Sequence, residues 1–198
     1  ILKSEMADCA AAKIRYYELP IAFDALSIVI NPKNTFLTQI TVAELKRIWE
    51  PAAQNKIMTW NQVNPAWPNQ PIKLFGPGAD SGTFDYFTEA VVGKSKSSRG
   101  DFTASEDDNV LVQGVSRDVN GLGYFGYAYY IENKDKLKAV PIVNEKGQPV
   151  EPSMEAVLKG TYSPLARPIF IYVNAKSLAK PEVKEFVEYY MKHGGKLA

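Results

Sequence analysis

Residues 21–30, IAFDALSIVI, restrict the fold more than any other stretch of this chain. They are almost continuously apolar and β-branched, and Asn31-Pro32 closes them. With no period-2 alternation, the predicted strand is buried on both faces. Asp24 alone interrupts it. The next signal is helical: Thr41 stands as N-cap and Glu44 three residues later completes a capping box, which predicts a helix to about Trp49 before Glu50-Pro51 breaks it.

Around these two elements, strands and helices alternate. Residues 3–13 read as a helix with Ser4 as N-cap, 15–19 as extended, 51–70 as an irregular connection and 71–75 as a short strand. A glycine-rich turn then runs into a helix ending at Gly93, and 107–115 form a further helix. Residues 121–130 read as an aromatic strand, 153–158 as a short helix, 168–173 as a strand and 181–192 as a terminal helix opened by proline. This order predicts an α/β chain with open sheets rather than a bundle or a sandwich. The strands over 21–30 and 121–130 bracket a middle block, the layout of a chain that crosses twice between two lobes.

Charge excludes one large class of partners. The 23 basic residues against 22 acidic ones leave a net charge of +1, so no global field favours nucleic acid or an anionic membrane. Any anion selectivity must be local. No apolar run is long enough to span a bilayer, and the stretch after Ile1 has neither a basic n-region nor a cleavable apolar segment, so a soluble chain is expected, with any secretion signal outside it. Cys9 and His193 each occur once, which leaves no cysteine cluster for zinc, no internal disulfide and few parts for hydrolase chemistry. Cys9 reads either as a small buried hydrophobe or as a cysteine without its partner, and His193 as a helix-end cation. No metal or cofactor is expected.

The chemistry concentrates in Gly76-Pro77-Gly78-Ala79-Asp80-Ser81-Gly82-Thr83, between a predicted strand and a predicted helix. A helix start presents unpaired N–H groups and a partial positive charge, which suits an anion. Gly78 and Gly82 permit close backbone approach, while Ser81 and Thr83 add hydroxyl donors for a tetrahedral oxyanion. Asp80 is useful only if it accepts a proton still carried by the ligand or orients a guanidinium, and both uses favour phosphate over fully ionised sulfate. The plainer alternative is an ordinary helix cap by Asp80 or Ser81. The loop lacks the lysine of a nucleotide-binding P-loop, and a serine nucleophile at Ser81 would have only His193 as a histidine base. Arg99 is the candidate for a bidentate grip on the anion, with Arg117 and Arg167 as rivals. The tyrosines of 121–130 and Trp49, Trp60 and Trp67 read as packing residues.

Five ordered blocks carry a resemblance: PIAFDALSIVINP, LTQITVAELKRIW, LFGPGADSGTFDYFTEAV, SRGDFTASEDDNVLVQGV and GLGYFGYAYY. Together they resemble the PstS-type phosphate-binding proteins of bacterial ABC importers, along essentially the whole chain. The resemblance implies a class II periplasmic-binding-protein fold: two α/β lobes, a two-strand hinge and phosphate in the cleft. It implies that residues 1–23 and 124–198 are part of one lobe, that 24–123 form the lobe with the anion loop, and that Asp80, Ser81, Gly82 and Thr83 match the phosphate loop. Many family members place an arginine just before this loop, where Gly76-Pro77-Gly78 stands here, and the resemblance transfers that role to Arg99. It further implies roughly 80 to 100 family residues before Ile1, comparable to half a small domain. These complete one lobe, supply the opposing phosphate ligands and often hold a cysteine. The implied protein is a periplasmic or extracytoplasmic receptor, with a lipid anchor through an absent N-terminus as one option, whose closed form docks on a membrane permease. A phosphatase or phosphotransferase, or a phosphate sensor on the same fold, are the alternatives.

Overall fold

The computed structural model describes residues 1 and 3–194. In chain order the elements are α1 (Lys3–Ala11), β1 (Tyr16–Ile30), β2 (Ile40–Thr41), α2 (Val42–Trp49), α3 (Trp60–Val63), β3 (Lys73–Gly76), α4 (Gly82–Phe87), β4 (Thr103–Ala104), α5 (Asp108–Arg117), β5 (Gly121–Gly126), α6 (Tyr127–Glu132), β6 (Lys138–Ala139), β7 (Ile142–Val143), β8 (Pro149–Val150), α7 (Met154–Leu158), β9 (Ala166–Asn174) and α8 (Pro181–His193). The chain divides into two compact units, a central one over 24–167 and a terminal one built from 1–23 and 168–198. It passes between them twice, in β1 and in β9, which pair with each other. Val140, Ile142, Tyr162 and Leu165 pack into the same core as Leu26, Ile28 and Ile30 of β1.

The central unit is a mixed sheet in the order β4-β3-β5-β1-β6, with a small β2-β7-β8 sheet beside it. β3 runs parallel to both β4 and β5, whereas β1 is antiparallel to β5 and β6. Alternate residues of β1 serve opposite faces. Leu26, Ile28 and Ile30 join the main cluster around Trp49 and Trp60, while Val29 packs with Leu111, Val115 and Phe125 under α5. The expected two-sided burial therefore holds over 25–30, but Ile21 and Ala22 are only half-buried and Phe23 is exposed. Asn31 ends the strand by use of its side chain: its Nδ2 donates to the carbonyls of Val115 and Ser116 at 3.2 and 2.7 Å, and its Oδ1 accepts from the Lys33 amide.

Local signals set most boundaries. Thr41 and Glu44 form the reciprocal capping box at the start of α2, with the Glu44 amide 3.1 Å from Thr41 Oγ1. Asp107 and Ser153 cap α5 and α7 by accepting from the amides of Asn109 and Ala156. The helix begun by α4 continues through residues 88–92 as a wider π-turn, where Thr88 Oγ1 donates to the Phe84 carbonyl, and it stops at Gly93 in the left-handed region at φ 94°.

Two expectations need correction. Ser4 lies inside α1 rather than at its cap. The aromatic strand stops at Gly126, the last residue in register with β1, and Tyr127 begins α6, because Tyr127 and Tyr130 meet at the three-residue spacing of a helix.

In the terminal unit, Tyr16 stacks edge-on against Tyr172 of β9 and the Tyr172 hydroxyl donates to Glu18 at 2.9 Å. α1 buries none of its residues, and Phe186 and Tyr189 of α8 are well exposed. Cys9 is half-buried and free, and His193 ends α8 with its ring against Tyr189. No helix of the described residues is long and apolar enough to cross a membrane.

Candidate functional site

Two parallel strands, β3 and β4, end side by side and each feeds a turn into a helix. In open α/β sheets the carboxyl ends of parallel strands are where ligand loops gather. Gly76 opens the first turn, and its carbonyl accepts from the Ser105 amide of the second at 3.2 Å. A side chain at Gly76 would meet Tyr124 Cε1 at 2.8 Å, so the loop root leaves the sheet directly over the Tyr124 ring. At Gly78 an added Cβ would collide with the Glu106 carboxylate. The two turns are packed against each other.

The loop then tightens. The Ser81 amide donates to the Gly78 carbonyl at 3.1 Å, and Ser81 takes the N-cap position of α4 with its Oγ accepting from the Thr83 amide at 3.1 Å. The plain capping role is thus real, but a hydroxyl that accepts one bond keeps its proton to donate outward. Ser81 and Thr83 are half-buried, and Asp80 and Gly82 are exposed. Nothing lies within 4 Å of the position a Gly82 Cβ would take. Among the described residues the Asp80 carboxylate has no hydrogen bond or ion pair, so it orients no guanidinium. The helix start presents backbone donors, two hydroxyls and open space on one side.

Acidic groups follow in the second turn. Glu106, Asp107 and Asp108 follow β4 in succession, and burial followed by repulsion from Asp107 and Glu106 raises the Asp108 carboxyl above its ordinary value. Glu106 at the loop backbone had no role in the sequence reading; the run of three acids next to a short strand was its only signal.

Arg99 lies inside the central unit. Its side chain is 2% exposed and every N–H of its guanidinium is engaged inside the protein. Nε and Nη2 grip Asp101, Nη1 donates to the carbonyls of Ile48 and Ile57 at 3.1 and 2.9 Å, and Nη2 also faces Met58 Sδ. The grip on an anion assigned to it from the sequence has no donor left. Arg99 instead ties the end of α2 to the segment that leads into β4. Arg117 is exposed in the last turn of α5.

Arg167 has a different setting. Its Nε and Nη2 both reach Asp24 Oδ2, at 3.3 and 3.2 Å, and its guanidinium lies over the Tyr86 ring, 4.0 Å from the centroid. Tyr86 belongs to α4 and donates from its hydroxyl to the Pro164 carbonyl at 2.7 Å. Burial pushes that phenol up to about 12, although Arg167 pulls in the other direction. The acid that interrupts the apolar run in β1 thus pairs with the arginine at the second position of β9.

The chain matches the PBP superfamily domain over residues 1–193. It is 52% identical to protein SphX of Synechococcus elongatus over 198 residues and 39% identical to the phosphate-binding protein PstS of Staphylococcus haemolyticus over 188, covering 100% and 93% of this chain. It spans 58% and 56% of those two proteins' own lengths. A solved structure of a possible phosphate binding protein from Planctomyces limnophilus superposes with a TM-score of 0.87 at 49% identity, covering 96% of this chain and 66% of that one. The mixed sheet, the double passage between units and these matches define the fold as the class II periplasmic-binding-protein type, and the chain belongs to the PBP superfamily, with PstS-type proteins among its relatives.

Proposed function

We propose that Asp80, Ser81, Gly82 and Thr83 bind inorganic phosphate as part of a receptor that hands it to the membrane permease of an ABC importer. One observation carries the reading: Ser81 caps α4 while Gly82 beside it faces open space, so a hydroxyl and the backbone donors of a helix start border room for an anion. The relatives named for phosphate binding support that choice of anion. The receptor works outside the cytoplasmic membrane, and binding breaks no bond. Phosphate stabilises one state of the receptor through contacts it does not make in the other, and the permease reads that state. Asp80, exposed and unpaired, acts as acceptor for the proton that phosphate carries and sulfate lacks.

Titration calorimetry of the gene product carrying this chain, with phosphate and with sulfate, tests this. Phosphate binds and sulfate does not, Ser81→Ala weakens phosphate about tenfold or more, and Asp80→Asn narrows the gap between the anions. Turnover of a phosphomonoester that Ser81→Ala abolishes would replace the receptor by an enzyme.

A further inference from the structure

We infer that Arg167, seated on Tyr86 and held by Asp24, is the cation that completes the anion site. The inference rests on the phosphate reading of the 80–83 loop. A phosphate dianion brought out of bulk water needs opposing charge as well as donors. The loop from Gly76 to Thr83 contains no lysine or arginine, and Asp80 and Glu106 make its surroundings more negative. Arg99 is fully spent inside the central unit.

Position favours Arg167. Tyr86 follows Gly82 by four residues and Thr83 by three, so all three share one face of α4. Helical side chains lean toward the N-terminus, which lays the Tyr86 ring over the turn that contains Gly82 and Thr83. The guanidinium stacked on that ring is thereby carried on the helix face that Tyr86 shares with Gly82 and Thr83.

Donor supply favours it as well. The two bonds to Asp24 Oδ2 use Nε and one N–H of Nη2, which leaves three N–H groups without a partner among the described residues. The side chain is 42% exposed, so those groups are reachable. Tyr86 sets the plane of the fork and Asp24 sets its rotation, while the Pro164 carbonyl anchors the tyrosine. A planar fork held in this way suits two oxygens of one phosphate, which a lysine ammonium cannot match. Asp24 would thus do for Arg167 what the sequence reading expected of Asp80.

Calorimetric titration of the gene product carrying this chain with inorganic phosphate, at two salt concentrations, decides the matter. Arg167→Gln is expected to weaken binding about tenfold to a hundredfold and to flatten the salt dependence of Kd, with the melting temperature unchanged. Arg167→Lys keeps the charge and the salt dependence but still loses affinity, because it cannot reach two oxygens at once. If Arg167→Gln binds phosphate as wild type does while Ser81→Ala does not, Arg167 is no ligand and the loop reading survives. A wild-type protein that takes up no phosphate overturns the loop reading and this inference together.

Discussion

Arg99 and Asp101 form a two-pronged ion pair, Nε to Oδ1 and Nη2 to Oδ2, with side chains 2% and 20% exposed. The pair holds Asp101 down to about 2, first through the hydrogen bond from Arg99, against the opposing effect of burial and with help from the Asn55 amide. A carboxylate whose folded value lies below its unfolded one adds stability above the unfolded value of 3.8 and loses it as pH falls toward about 2. Asp101→Asn leaves a buried guanidinium without its counter-charge, and the expected loss is on the order of 3 kcal/mol. Urea unfolding at neutral pH should show that loss, and the difference between variant and wild type should shrink between pH 4 and pH 2. A variant as stable as wild type would mean that Arg99 has another outlet for its charge.

Gly76 and Gly82 should respond in opposite ways to alanine. At Gly76 the new methyl meets Tyr124, whose ring is stacked on Phe87 at 3.7 Å between centroids and edge-on to Trp49 at 5.0 Å. A locked ring cannot give way, so Gly76→Ala should cost roughly 1–3 kcal/mol in denaturant unfolding. Gly82→Ala meets nothing within 4 Å and should leave stability intact while it weakens phosphate binding, since the methyl enters the space assigned to the anion. Equal losses of stability at the two positions would undermine this assignment of space.

Apolar side chains on the terminal unit should make the isolated 198-residue chain self-associate. Phe186 and Tyr189 are 65% and 63% exposed, and Ile171, Tyr172, Val183 and Tyr190 line a groove beside Phe186. Light scattering across a concentration series should show a rising mass, and Phe186→Ser with Tyr189→Lys should lower it. A sharp monomer at all concentrations would show that this surface is tolerated in water.

Much of the fold was legible because its signals are local. The alternation of elements, the Thr41 and Glu44 capping box, the end of β1 at Asn31 and the stop at Gly93 each depend on a few adjacent residues. The aromatic stretch after Gly126 was misread because aromatic side chains suit a strand and a helix alike, and only the loss of pairing with β1 separates the two. The packing of β1 with Tyr162 and Leu165 was not legible for a related reason, since that shared core spans more than a hundred residues of sequence.

The turn from Gly76 to Thr83 could be picked out by composition, as glycines and hydroxyls between a strand and a helix. The surroundings of the arginines could not. Arg99, Arg117 and Arg167 are equivalent as letters, and what separates them is where their donors go: into backbone carbonyls and Asp101 for Arg99, outward from the end of α5 for Arg117, and onto Asp24 and the face of Tyr86 for Arg167. Sequence by itself determined the main alternation of strands and helices and several helix ends, because short-range sterics and capping bonds act within a few residues. Only the tertiary structure decided which charges are spent and which remain available, because that depends on partners such as Asp24 and Arg167, brought together from 143 positions apart.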